Sequence, residues 1–185
     1  MIAKHSTCLA GVALVAFALA LAATPQNTAD QKMDSGSSRM MKSSDLKFAQ
    51  MAAQGGMAEV ELGQMAAQKG TNADVKAFGQ QMADDHTKAN DDLKSVAAKQ
   101  GVTLPSGLSA KDQALKSKLQ NLSGEEFDRA YMKAMVKDHE EDVKEFQKEA
   151  NNGKNPQIKD FASRTLPVLQ GHLDKAKSVD SSVAK

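Results

Sequence analysis

Three histidines and one glutamate carry the only pattern in this chain that could do chemistry: His86, His139, His172 and Glu59. Each falls within an apolar stripe of helical period. Phe78, Met82, His86, Ala89 and Leu93 repeat at spacings of three and four, as do Tyr131, Met135, His139, Val143 and Phe146. Leu169, His172 and Ala176 follow the same rule, and so do Gly55, Glu59, Leu62 and Ala66. Residues at these spacings share one helix face, so all four polar groups point inward. Neutral imidazole nitrogens and a carboxylate suit copper, zinc or iron. Two of the histidines end the same short pattern, Met-x-x-Asp-His, at Met82–His86 and Met135–His139. Each thioether faces the same way as its histidine and would favour copper. The candidate ligand set around one transition-metal ion is therefore His86, His139, His172, Glu59, Met82 and Met135.

A second reading needs no metal. Buried polar groups must be paired, and a histidine–glutamate network pairs them, with the methionines as ordinary core residues. No segment carries two ligands at close spacing to decide between the readings. Asp85 and Asp138 stand next to histidines, but neighbours on a helix differ in direction by about 100°, so each serves another helix or solvent. Catalysis finds little support. Tyr131 is the one tyrosine, Ser123 reads as a helix cap, and the sole cysteine is Cys8 in the leader. Without a nucleophile–base pair or a Gly-rich phosphate loop, the chain reads first as non-enzymatic, with a redox enzyme working through the intra-bundle His/Glu site as the alternative.

Four long helices are needed to bring these groups together. The periodicity predicts them over 45–69, 73–100, 124–150 and 156–179, with a shorter helix over 110–121. Ser43 or Ser44 is expected to cap the first, Asn72 the second. Gly70 suits a left-handed helix end, and Gly55-Gly56 a close approach by a neighbour. Pro105 and Gly107 make the connection after Gly101 a loop. Ser123 and Glu126 have capping-box spacing, and Pro156 stands at a first helical position after Asn155. Pro167 should kink or break the last helix, and the tail past Val179 should fray. The charged run 137–142 reads as a solvated face. Short turns join the first pair and the last pair, and the crossover between them is longer. This is an all-α, antiparallel four-helix bundle, with the short extra helix crossing one end.

The chain begins with Lys4 and an apolar run from Cys8 to Ala23, ending in Ala20-Leu21-Ala22. Residues 1–22 are read as a signal peptide cut after Ala22, with an uncleaved inner-membrane anchor as the alternative. Residues 23–43 are polar and aperiodic, a flexible lead, and 44–180 form the bundle domain. Cys8 lacks a lipobox-like context, so a lipid anchor is not expected. Loss of Lys4 would take the formal net charge from +1 to 0. That, with few aromatics, excludes a nucleic-acid partner. The expected location is the periplasm or cell envelope, with envelope or membrane-surface association open and no oligomeric partner indicated.

In order along the chain come Glu59, Met82-x-x-Asp85-His86, Phe127-Asp128-x-x-Tyr131, Met135-x-x-Asp138-His139 and Leu166-Pro167-x-x-x-x-His172. As a set over residues 44–178 they resemble the bacterial exported family catalogued as domain of unknown function 4142. The resemblance implies a ferritin-like four-helix fold in a cell-envelope or outer-membrane protein, with a stress-related role and no established reaction. Ferritin-like di-iron proteins carry glutamates on two helices and Glu-x-x-His on the other two. Here Ala83, Val136 and Leu169 stand three residues before the histidines. A carboxylate-bridged metal pair and its oxidase or catalase chemistry are therefore not expected.

Overall fold

The computed structural model describes residues 41–184. The signal-peptide reading of 1–22 and nearly all of the lead lie outside the described residues. Five helices follow in order: α1 (Ser43–Lys69), α2 (Ala73–Lys99), α3 (Ala110–Gln120), α4 (Gly124–Asn152) and α5 (Pro156–Val183). α1 packs mainly on α2 and α4 mainly on α5, and α2–α5 and α1–α4 contacts close the ring. Both short connections begin at an asparagine cap. Asn72 accepts from the amides of Asp74 and Val75, and Asn155 from those of Gln157 and Ile158, with Pro156 opening α5. An asparagine oxygen here satisfies helix amides that have no partner within the helix.

Two buried aspartates lock the hairpins together. Asp45, in the first turn of α1, accepts from the amides of Lys154 and Asn155 in the α4–α5 turn, at 3.2 and 2.7 Å. Asp128, one turn into α4, accepts from the amides of Thr71 and Asn72 in the α1–α2 turn, at 3.1 and 2.8 Å, and from the Thr71 hydroxyl. Each hairpin thus holds the turn of the other, which fixes α1 antiparallel to α4. At the same end as Asp45, the Asn155 side chain donates to Gln100 at the end of α2, which sets α2 antiparallel to α5.

Several local expectations are corrected. α1 begins at Ser43 on Lys42 without a side-chain cap, because the Ser44 hydroxyl turns to Asp45. Gly70 is not left-handed (φ −54°); a Cβ there would come within 2.7 Å of the Ala66 carbonyl, so close packing accounts for it. The intimate α1–α2 crossing lies at Gly63 and Gly79, where an added Cβ on either would meet the other's carbonyl at 2.5–2.6 Å. Gly55 faces open space and Gly56 meets only the Asn90 side chain. Ser123 makes no side-chain cap, since Gly124 enters α4 at φ +60° and alters the geometry. The capping contact appears instead at Ser109, which accepts from the Asp112 amide. Pro167 lies inside a continuous α5 on its exposed side, where water can take the carbonyl its ring leaves unbonded. The helix runs to Val183, which packs on the core.

α3 does not cross an end of the bundle. It lies along the α1–α4 side: Lys116 pairs with Glu61 at 2.7 Å, Lys69 donates to Gln120 O at 2.7 Å, and Lys111 reaches Glu141 at 2.9 Å. The interior has two apolar clusters. One contains Leu62, Phe78, Met82, Phe127, Tyr131 and Met135; the other contains Phe48, Leu93, Phe146, Phe161 and Leu169. Along every long helix a single interval separates the two clusters, and each interval contains one of the four polar residues.

Candidate metal centre

Glu59 from α1, His86 from α2, His139 from α4 and His172 from α5 occupy the layer between the two clusters. Their exposures are 0, 6, 0 and 2 %, so all four are withdrawn from water. The ring centroids of the three histidines lie 5.4–5.8 Å apart. One nitrogen from each ring falls within 4.8 Å of the others. Apolar packing above and below sets this level, and the helical period turns each side chain toward the axis.

The outer contacts of the rings determine which nitrogens are free. His139 Nδ1 lies 3.0 Å from the Met135 carbonyl. A carbonyl only accepts, so Nδ1 carries the hydrogen and Nε2 presents a lone pair. His172 Nε2 lies 3.1 Å from Asp85 Oδ2. The carboxylate orients that ring and leaves Nδ1 as the lone pair. Both free nitrogens, His139 Nε2 and His172 Nδ1, are buried without a hydrogen-bond partner. Metal-ligating imidazoles commonly have this arrangement: one nitrogen tied to a carbonyl or carboxylate, the other bare.

Glu59 completes the layer. Its Oε2 is 2.8 Å from His86 Nε2 and its Oε1 is 3.2 Å from His139 Nδ1. Despite these distances, neither glutamate oxygen nor His86 Nε2 makes a well-directed hydrogen bond. Two donors sharing one ion at bonds of about 2.0–2.1 Å stand roughly 3 Å apart. The 2.8 Å His86–Glu59 separation is that of a buried ion pair and also that of two donors on one ion. The cluster is able to coordinate a single transition-metal ion.

Charge follows the same geometry. Burial alone would raise the Glu59 carboxyl, but His86 and His139 outweigh it and hold it at about 2. Burial works against a charged His86, and the Glu59 carboxylate overcomes it and raises the ring above its ordinary value. His172 is lowered, first by burial and then by its neighbouring rings, against the pull of Asp85. His172 therefore favours the neutral form that binds metal.

Met82 and Met135 are fully buried in the apolar cluster beside the layer, and Met135 also supplies the carbonyl that orients His139. Asp85 serves a histidine on another helix, as the 100° rule requires. The run 137–142 is not wholly a solvated face. Asp138 pairs with Lys111, and Asp138 and Asp142 lie with Glu59 in a second group whose oxygens fall within 4.8 Å. The sequence signal for this was Asp142, three residues beyond His139 and so near its face.

Fold and site together define a ferritin-like helical bundle with an imidazole–carboxylate cluster at its centre. The chain belongs to the family described as "Domain of unknown function (DUF4142)", whose model matches residues 30–179. No curated protein matches the sequence. Among solved structures, a DUF305 fragment from Deinococcus radiodurans is 13 % identical with a TM-score of 0.68, covering 77 % of this chain and 98 % of that one. A structure described as CopM in the Cu(II)-bound form is 15 % identical with a TM-score of 0.64, covering 75 % and 96 %. A dodecameric thioferritin, the bacterioferritin-related protein from Bacteroides fragilis, is 14 % identical with a TM-score of 0.59, covering 76 % and 86 %. At these identities the likeness establishes the fold.

Proposed function

We propose that this protein binds one transition-metal ion inside the bundle, copper before zinc or iron, through His86, His139 and His172 with Glu59. One observation carries the reading. Two buried imidazole nitrogens have no partner, and each belongs to a ring whose other nitrogen is tied down. A metal-free core network would leave both groups desolvated and unsatisfied, at about 1–3 kcal/mol each. The likeness to a fold that holds Cu(II) in CopM supports copper. Bound there, the ion would be shielded from solvent by two apolar clusters, which suits holding or sequestering it. The closed, buried site supports holding the ion over turning over a substrate.

Export fits this reading. Among the described residues no helix is long and apolar enough to cross a membrane. The leader would place the bundle in the cell envelope, where ion capture would serve metal or oxidative stress. Calorimetric titration of the metal-free protein with Cu²⁺, Zn²⁺ and Fe²⁺ tests the function. The expected result is one equivalent bound tightly, copper strongest. Absence of saturable binding by any of the three returns the cluster to a structural network. A deletion strain that tolerates copper and peroxide as well as its parent would remove the stress role.

A further inference from the structure

A cleft of about 610 Å³ opens between α1, α3 and α4, and its walls include Asp112, Asp138, Glu141 and Asp142. Exposure falls steadily inward from it. The Glu141 side chain is 49 % exposed, Asp138 18 % and Glu59 0 %. At the inner end, oxygens of Asp138, Asp142 and Glu59 gather within 4.8 Å. Grouped carboxylates alone are common. Here a separate fact points to a ligand: the innermost member, Glu59, is fully buried, and neither oxygen has a directed hydrogen bond. Its other side touches His86 and His139. Among the described residues Asp142 has no hydrogen bond or ion pair. Lys111 spans the outer carboxylates, 3.4 Å from Asp138 and 2.9 Å from Glu141, and its side chain is 60 % exposed.

We propose that Glu59, Asp138 and Asp142 form an oxygen-only cation position at the inner end of this cleft, through which a divalent ion passes to the three histidines, displacing Lys111 on the way. The inference rests on the metal-binding reading and adds its route. Oxygen ligands hold a partly hydrated divalent ion loosely, and imidazole holds copper or zinc more tightly, so the order of sites runs downhill. Glu59 joins the two groups, since an oxygen of it falls within 4.8 Å of those of Asp138 and Asp142 while its carboxylate lies 2.8 and 3.2 Å from His86 and His139. The Lys111 ammonium already occupies a cation's place at the mouth. An exposed pair of this kind exchanges with solvent at small cost, so it filters entry without blocking it.

Stopped-flow mixing of the metal-free protein with Cu²⁺, read by quenching of the single tyrosine, Tyr131, tests the route. The double substitution Asp138→Asn with Asp142→Asn should slow uptake and release together by about tenfold or more, since focused negative charge raises cation on-rates by that order. Equilibrium affinity should fall by no more than the roughly tenfold that loss of a supporting carboxylate costs, because the final ligands are unchanged. Lys111→Met should speed uptake. Circular dichroism of each variant checks that the bundle is intact. An unchanged uptake rate in the folded double variant overturns the route and leaves the metal centre standing. A parallel loss of affinity without slower exchange also overturns it, because the carboxylates would then be supports of the final site. If the wild-type protein takes up no ion, the centre itself falls, and the route with it.

Discussion

Two of the settings in which this molecule buries carboxylates, the hairpin turns and the middle layer, behave oppositely. Asp45 and Asp128 sit at the hairpin turns, 1 and 2 % exposed, and their oxygens collect backbone amides from the opposite hairpin. Glu59 sits at mid-bundle, equally buried, facing imidazoles in contacts that do not align as hydrogen bonds. The turn aspartates are satisfied by backbone amides, whereas His139 Nε2, His172 Nδ1 and the Glu59 oxygens have no directed protein hydrogen bond. Burial of charge therefore does not by itself mark function; the state of the partner atoms does.

The sharpest way to break this contrast is to remove a bare nitrogen. His139→Ala or His172→Ala should lower Cu²⁺ affinity by about 100-fold or more, beyond what loss of a supporting group costs. Calorimetry measures it, and affinity within threefold of wild type would put the middle layer in the same class as the turns. Next in size, Asp128→Ala removes the acceptor of the part-buried Thr71 and Asn72 amides and of the Thr71 hydroxyl, and should cost about 1–2 kcal/mol in urea unfolding. Asp45→Ala should act alike. Copper affinity of the folded fraction should stay unchanged in both, and a loss would mean that the turns and the centre are one cooperative unit.

A smaller effect is expected at Asp85, which orients His172. Asp85→Asn should weaken copper by about tenfold, with little change in stability for so exposed a carboxylate. The mildest test uses pH on the metal-free protein. Glu59 has a lowered pKa, so it contributes stability above its ordinary 4.5 that is lost as pH falls toward about 2. His86 has a raised pKa, so its contribution is full below its ordinary 6.5 and lost as pH climbs through the raised value. Melting curves of wild type and Glu59→Gln should therefore differ most between pH 4.5 and 6.5. A difference flat across that range would mean that the two groups are not coupled.

The inward phase of His86, His139, His172 and Glu59 was legible because a 3.6-residue period converts spacing directly into direction. The asparagine caps and the hairpin pairing were legible for the same local reason. What the sequence hid was non-local. Nothing in their local pattern marks Asp45 or Asp128 as holding a turn, because their partners lie 110 and 56–57 residues away. Gly63 and Gly79 look like weak points until two helices are crossed at them. Asp138 and Asp142 stood in a charged run whose inner edge appears only once α1 and α3 are packed against α4. Helical phase fixes direction but not height along the bundle, and the height of His172 is set by the two apolar clusters on either side of it.

The hairpin latches carry a consequence for the order of assembly. Contacts within α1–α2 and within α4–α5 span little chain and form early, whereas the latch from Asp45 to Asn155 closes a loop of 110 residues and belongs to the final docking step. Glu59 and His86 sit in the first hairpin, His139 and His172 in the second. Neither half contains the full set of ligands, so an ion meets its complete set of donors only after the two halves have closed. An ion bound by all four donors would therefore favour the docked protein over its precursors, and each increment of free ion would deepen the native well.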